Sequence, residues 1–421
     1  MRILHTADWH LGQKLYDRER FDEFQNFLNW LIELIRKEKV DVLIVAGDIF
    51  DVASPPQKAL EQYYQFLAKL VRETPCNHAI IVGGNHDSIH SLNAPQELAK
   101  LLRLHIIGGA SENKEHDIIE IRNEENELQA VVAAVPFLRD KDIRYNQVAM
   151  DNETRDRAIA ESIYNHYTQM AQIMKQRGYA EMNIPLIATG HLFAQGCSHH
   201  SEENEENKAE KMIYSGNLGK VPATVFPSLF DYVALGHLHR SQIVGGKDYI
   251  RYSGSPLPLS FSERNDKKYV LLIDFEGKKP QNIIAIDVPT ALYRKLIRIS
   301  GTLQEVCNKI KDINEKPNTF PTLWAEIQVI LQNPDPSAKQ ILEKTLQENA
   351  CIESLSYKIE LQNRENAGNW IKKYTDYDLR EIYPQEVLLE ICRQEGYSLE
   401  EYRNELLPLF NEIVEQIGEI N

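Results

Sequence analysis

Residues 42–51 read Val-Leu-Ile-Val-Ala-Gly-Asp-Ile-Phe-Asp. Val42–Ala46 is an unbroken apolar run, the pattern of a strand buried in a sheet. Gly47 suits a tight turn, and Asp48 and Asp51 follow it at once. The same arrangement occurs four more times. Arg2–Thr6 leads to Asp8 and His10, Ala79–Val82 to Asn85 and His86, Leu186–Thr189 to His191, and Tyr232–Leu235 to His237 and His239. Side chains at the ends of neighbouring strands can converge on one point although they are far apart in sequence.

The set holds imidazoles, carboxylates and one amide, with no thiolate. That chemistry suits a pair of hard-to-borderline divalent ions such as Mn²⁺ and disfavours a Cys-rich structural zinc site. Two such ions about 3.5–4 Å apart activate a water and clamp a phosphate for in-line displacement. Asp48 is the natural bridge, since both its oxygens can coordinate. Asp8, His10 and His239 could complete one ion, and Asn85, His191 and His237 the other. The i, i+2 spacing of Asp8/His10 and His237/His239 aims both members of a pair to one side of an extended backbone. His86, beside a ligand, is better placed to protonate a leaving alkoxide or to stabilise a negative transition state. Asp51 is expected to hydrogen-bond His86 and fix its tautomer. His5 reads as a packing residue, and His199 and His200 as a solvated pair in the polar loop Ser198–Lys211.

The rest of the chain sorts into segments. Up to residue 288 or so, strands alternate with helical patterns such as Phe21–Lys37 and Gln57–Arg72, which implies a sheet covered by helices. Asp151–Arg177 reads as a long amphipathic helix, and strands dominate again from Leu186, which predicts two packed sheets. Residues 289–362 read as a small α+β domain. Its strands are expected at Tyr293–Ser300, Thr322–Leu331 and Cys351–Leu361, its helices at Leu303–Ile313 and Ser337–Asn349. A polar linker, 363–383, leads to a helical segment, 384–421. There Ser398-Leu399-Glu400-Glu401 opens a helix as a capping box, and Pro408 predicts a kink or break.

Charge limits the partners. The 421 residues carry 47 basic and 62 acidic side chains, net −15, so the chain alone is a poor polyanion binder. If the substrate is nucleic acid, bound metals or a partner must supply positive potential. The five cysteines are scattered and odd in number, which reads as free thiols in a reducing compartment. With no apolar run long enough for a membrane span and no signal peptide in evidence, the expectation is a cytoplasmic protein.

The order Asp-x-His, Gly-Asp-x-x-Asp, Gly-Asn-His-Asp, Gly-His, Gly-His-x-His resembles the calcineurin-like metallophosphoesterase superfamily. The strings Arg2–Gln13, Ile44–Asp51, Ser54–Pro56, Val135–Arg139, Ala234–Arg240 and Tyr252–Pro256 are similar to the SbcD family of bacterial nuclease subunits. The resemblance implies a four-layer α/β/β/α sandwich with a capping domain and a C-terminal segment, 384–421, that binds the ATPase SbcC. It implies two Mn²⁺ ions, with Mg²⁺ as the substitute, and ATP bound by SbcC rather than by this chain. It also implies DNA ends and hairpins as substrates, double-strand 3′–5′ exonuclease and single-strand endonuclease action in repair, and a homodimer within a heterotetramer. The alternatives are another binuclear phosphoesterase, acting on nucleotides or phosphoproteins, or a DNA-end scaffold without activity of its own.

Overall fold

The structure, a computed structural model, describes residues 1–139, 141–143, 152–194, 221–313 and 320–361, and position 407. Among these, strands β1–β17 and seven α-helices are numbered in chain order.

Two six-stranded sheets form the body. The first runs β14 (Lys279–Asp287), β13 (Tyr269–Glu276), β1 (Arg2–Thr6), β4 (Val42–Ala46), β5 (His78–Val82) and β6 (Leu104–Ile107). Its four strands β1, β4, β5 and β6 are parallel, with β13 and β14 added antiparallel at one edge. The second runs β11 (Gln242–Val244), β12 (Lys247–Tyr252), β10 (Tyr232–Gly236), β9 (Leu186–His191), β8 (Leu128–Ala133) and β7 (Ile118–Arg122). Here β8, β9, β10 and β12 are parallel.

Alternation along the strands builds the layers. On β4, Val42 and Ile44 enter a core shared with Val132 of β8, Ile187 of β9 and Ala234 of β10, so the two sheets pack face to face. Leu43 and Val45 point the other way, into a core with Phe24, Phe27 and Leu31 of α1 (Phe21–Glu38) and with Tyr63 and Phe66 of α2 (Gln57–Glu73). Beyond α3 (Ile89–Asn93) and α4 (Gln96–Leu101), the long helix α5 (Asn152–Gln176) covers the outer face of the second sheet. Its Ile163, Tyr167 and Met170 meet Ala188 and Val233. The result is the expected α/β/β/α stack. In α1, Asp22 and Glu23 lie in the first turn and Arg36 and Lys37 in the last, which complements the helix dipole.

A third sheet is ordered β15 (Leu296–Gly301), β16 (Leu323–Leu331), β17 (Ile352–Leu361), with α6 (Leu303–Asp312) and α7 (Ala338–Gln347) between its strands in sequence. The alternation of buried and half-buried residues along β16 breaks at Trp324. That side chain is 2% exposed because it packs with Leu15, Phe261 and Leu296 while its indole N–H donates to Glu353 at 3.0 Å. Leu15 belongs to a small hairpin absent from the sequence reading, β2 (Lys14–Leu15) with β3 (Arg18–Glu19). Among the described residues the chain divides into two compact units, one within 1–299, 309–327 and 346–357, the other within 300–308, 328–345 and 358–361. The polar loop 198–211, the linker 363–383 and the segment 384–421, apart from position 407, lie outside the described residues.

Among the described residues no helix is long and apolar enough to cross a membrane, and Cys76, Cys307 and Cys351 are free thiols.

Candidate metal centre

Parallel pairing of β1, β4 and β5, and of β9 and β10, brings five strand ends to one edge of the stack. Asp8 and His10 follow β1, Asp48 follows β4, and Asn85 and His86 follow β5. His191 closes β9, and His237 and His239 follow β10. The loops that carry them are tight. Asp8, His10, Asp48 and His237 all have positive φ, at 52°, 49°, 50° and 99°. Non-glycine residues held in that region cost on the order of 1–3 kcal/mol each and cluster at functional sites. Glycine next to them is required by close approach. A Cβ on Gly84 would lie 2.1 Å from Asp48 Oδ1, and one on Gly236 2.0 Å from the Ala46 carbonyl oxygen.

The geometry is that of a ring with a buried floor and an open rim. Asp8, His10, Asp48 and His191 are buried, whereas Asn85, His86, His237, His239 and Asp51 are half-buried. Three triads, Asp8–His10–His239, His10–Asp48–His86 and Asp8–Asp48–His191, each offer ligand atoms within 4.8 Å of one another. Asp48 Oδ2 lies 3.2 Å from His191 Nε2 and 3.5 Å from His10 Nε2, between imidazoles expected on different ions. Asn85 Oδ1 lies 3.0 Å from His191 Nε2 and 3.1 Å from His237 Nδ1. The His237 main-chain N–H donates to Asp8 Oδ1 at 2.8 Å. All seven expected ligand positions therefore meet at one edge.

Second partners orient several of these rings. Nδ1 of His10 faces Asp51 Oδ1 at 3.1 Å, Nδ1 of His191 the Ala46 carbonyl at 2.9 Å, and Nδ1 of His239 Glu263 Oε1 at 3.0 Å. Holding one ring nitrogen selects the tautomer that presents the other. The expected hydrogen bond between Asp51 and His86 is present, but it does not use the Asp51 side chain. The carboxylate goes to His10, and it is the Asp51 main-chain carbonyl that accepts from His86 Nδ1 at 2.6 Å. The left-handed turn at Asp48 brings Asp51 back beside Leu11, whose carbonyl accepts from the Asp51 N–H at 3.3 Å, and so places its carboxylate over the first loop.

Electrostatics follow from this crowding. Burial alone would lower the pKa of His10, but Asp51, Asp48 and Asp8 outweigh it and raise it to about 9. His191 is likewise raised to about 9, burial being overcome chiefly by Asp48. His237 is lowered to about 3 by burial and by His191. Burial raises Asp8, whereas at Asp48 the same burial is outweighed by His191 and the carboxylate is held well below its usual range.

The donor set fits divalent cations. Asp8 Oδ2 and His10 Nε2 are buried with no hydrogen-bond partner. A buried polar atom left unsatisfied costs about 1–3 kcal/mol, a cost that a cation between them removes. The ring holds no thiolate, unlike a Cys-rich structural zinc site.

Some supporting residues had no role in the sequence reading. Asp87 accepts from the N–H groups of Ile49, Phe50 and Gly84 at 3.0, 2.9 and 2.8 Å, tying two ligand loops together. Burial, with Asp48 adding to it, raises its pKa to about 6. Arg139 donates to the Asp87 carbonyl at 2.7 Å. Asp87 stands inside the Gly-Asn-His-Asp string and was visible there; Glu263 lies 24 residues beyond His239 with no signal of its own. His5, expected to pack, is fully buried and hydrogen-bonds Tyr232 Oη at 2.9 Å between the sheets. His199 and His200 lie outside the described residues.

Residues 1–241 match the calcineurin-like phosphoesterase family. Over 398 residues the chain is 33% identical to SbcD of the nuclease SbcCD from Escherichia coli K12, covering 93% of each chain. It is 34% identical over 311 residues to the SbcD protein of Rhodobacter capsulatus, covering 73% of this chain and 74% of that one. With the SbcD protein of Bacillus subtilis the identity is 33% over 276 residues, covering 65% and 66%.

Proposed function

Because the chain belongs to the calcineurin-like phosphoesterase family, and within it to the SbcD proteins, we propose that it is the metal-dependent nuclease component of a DNA end-processing complex with the ATPase SbcC. The observation that carries the reading is Asp48 Oδ2, set between Nε2 of His10 and Nε2 of His191. One carboxylate between two imidazoles from opposite halves of the ring is what a shared ligand of two ions requires. Asp8, His10 and His239 would hold one ion and Asn85, His191 and His237 the other, with Asp48 common to both. Bound there, two Mn²⁺ or Mg²⁺ ions would supply Lewis-acid polarisation of a phosphodiester and a water activated at neutral pH.

The chain's own residues do the rest. His86 donates its Nδ1–H to the Asp51 carbonyl; burial disfavours the charged ring, and when Nε2 is protonated as well, the imidazolium would give that proton to the leaving oxygen and return to the neutral ring. Asp51 secures His10 through its side chain and His86 through its backbone, so one residue aligns a ligand and the acid. The half-buried rim admits a phosphodiester, while the buried floor limits water around the charges.

The finer reading has double-strand 3′–5′ exonuclease and single-strand and hairpin endonuclease action. Residues 1–288 carry the chemistry, 289–362 cap the entry of duplex, and 384–421 dock on SbcC, which binds the ATP. Homodimerisation through the first domain is supported by an apolar patch on α4, where Leu98 is 67% and Leu101 80% exposed. The free thiols Cys76, Cys307 and Cys351, among the described residues, support a cytoplasmic setting.

The test is cleavage by the purified chain with Mn²⁺, with and without SbcC and ATP, on linear duplex, hairpin DNA and a chromogenic phosphodiester. Manganese-dependent cutting of duplex and hairpin that SbcC and ATP stimulate is the expected result. Turnover of the chromogenic ester alone would leave a general phosphoesterase, and no turnover of any substrate a scaffold.

A further inference from the structure

His239 is the most exposed imidazole in the triad it forms with Asp8 and His10, its side chain 32% exposed against 3% for His10. A ring on a loop at the rim has rotational freedom to lose before it can hold a cation. The structure removes that freedom from one side. Glu263 Oε1 accepts from His239 Nδ1 at 3.0 Å. Glu263 is 4% exposed and Lys268 3%, and the Lys268 ammonium donates to Glu263 Oε2. Lys268 also donates to Ser255 Oγ at 2.9 Å and to the His239 carbonyl at 3.3 Å. That carbonyl further accepts from the Ser255 N–H at 3.2 Å. Glu263 Oε2 takes the Leu259 N–H at 3.2 Å as well. One buried ion pair thus grips both the ring and the backbone of the same histidine.

A buried ion pair is weak evidence for a purely stabilising role, since its desolvation offsets much of its attraction. Its placement points elsewhere. The turn that carries Glu263, Phe261–Glu263, is anchored from its other end, where Phe261 packs with Leu15, Leu296 and Trp324. On the same half of the ring Asp51 backs His10, again through a carboxylate. On the other half the backing acceptor of His191 is a neutral main-chain carbonyl, that of Ala46. The two halves are therefore built differently: carboxylates back both imidazoles of one, whereas His191 of the other is backed by a main-chain carbonyl.

We propose that Glu263, locked by Lys268, is the positioning residue for His239, and that it raises the cation affinity of the half formed by Asp8, His10 and His239 selectively. This rests on the metal reading above. A carboxylate behind an imidazole fixes its tautomer and increases its basicity toward a cation, and loss of such a partner typically costs roughly 10–100-fold in affinity.

Titration of the metal-free full chain with Mn²⁺, following free Mn²⁺ by electron paramagnetic resonance, tests it without reference to activity. Wild type should bind two ions per chain. Glu263→Gln keeps an acceptor for Nδ1 but not the charge, and should weaken one of the two ions about 10-fold or more with the other unchanged. Glu263→Met combined with Lys268→Met removes the charge pair while keeping volume, and should weaken the same ion further; a thermal melt reports whether each variant is folded. Two wild-type affinities in either folded variant, or equal weakening of both ions, would overturn the proposal. A wild-type chain that binds no Mn²⁺ would instead sink the metal reading on which it rests.

Discussion

Asp51 Oδ1 lies 3.1 Å from Nδ1 of His10, a residue 41 positions earlier. This pairing makes Asp51 a partner of His10 through its carboxylate and of His86 only through its carbonyl. Asp51→Asn keeps the carbonyl and weakens the side-chain partner. The expected outcome is Mn²⁺ affinity reduced roughly 10-fold, with most of the rate recovered at saturating Mn²⁺. A reduced rate at saturation with unchanged affinity would return the carboxylate to His86.

His86→Ala should separate chemistry from binding. Both ions and DNA should still bind, while the rate falls roughly 10²–10⁴-fold as a proton donor is lost. Because His86 shares a triad with His10 and Asp48, metal stoichiometry must be measured on the same sample. One ion in place of two would make His86 a ligand.

Asp48→Ala removes the oxygen between His10 and His191 and the acceptor of the His86 N–H at 3.0 Å. Cleavage should vanish and neither ion should be retained through gel filtration. Retention of two ions at wild-type affinity would show that Asp48 is not shared.

Metal uptake should release protons. Without a cation, neighbouring carboxylates hold His10 and His191 protonated up to about pH 9. A cation requires neutral imidazoles, so binding displaces these protons and affinity falls as pH is lowered from about 9 toward 6. Calorimetry at pH 7.5 in two buffers of different ionisation enthalpy reads the number released. Zero protons, or tighter binding at lower pH, would contradict the assignment.

Residues 384–421 carry nine acidic and two basic side chains, which sets them against DNA phosphates. Leu388, Ile391, Leu399, Tyr402, Leu406, Phe410 and Ile413 recur there at helical spacing. Deleting the segment should abolish SbcC capture in a pull-down while Mn²⁺-dependent hydrolysis of a small phosphodiester survives. Capture at native affinity by the shortened chain would assign the stripe to self-packing.

Much of the fold was legible because its signals are local. Five apolar runs, each followed by a turn and a ligand-type side chain, marked β1, β4, β5, β9 and β10 to within two residues. The long helix expected at Asp151–Arg177 is Asn152–Gln176, and the third sheet's strands and helices fall within a few residues of their predicted bounds. The short helices Ile89–Asn93 and Gln96–Leu101 and the hairpin Lys14–Glu19 had no sequence reading. Each is too short to establish a period, and the hairpin's Leu15 is buried only because Trp324 and Phe261 meet it from distant positions.

The sequence by itself determined which residues are candidates for the chemistry, because side-chain type and strand-end position are written locally, one segment at a time. Only the tertiary structure decided which residue serves which. Nothing in the spacing of Asp51, His86 and His10 says that a left-handed turn at Asp48 sends the carboxylate of Asp51 to one histidine and its carbonyl to the other. Nothing near His239 announces Glu263 and Lys268, which reach it through a turn packed on a separate part of the chain. Hydrogen bonds select partners by ångström-scale distance and direction, and those are set when sheets, turns and loops pack together rather than by order along the chain.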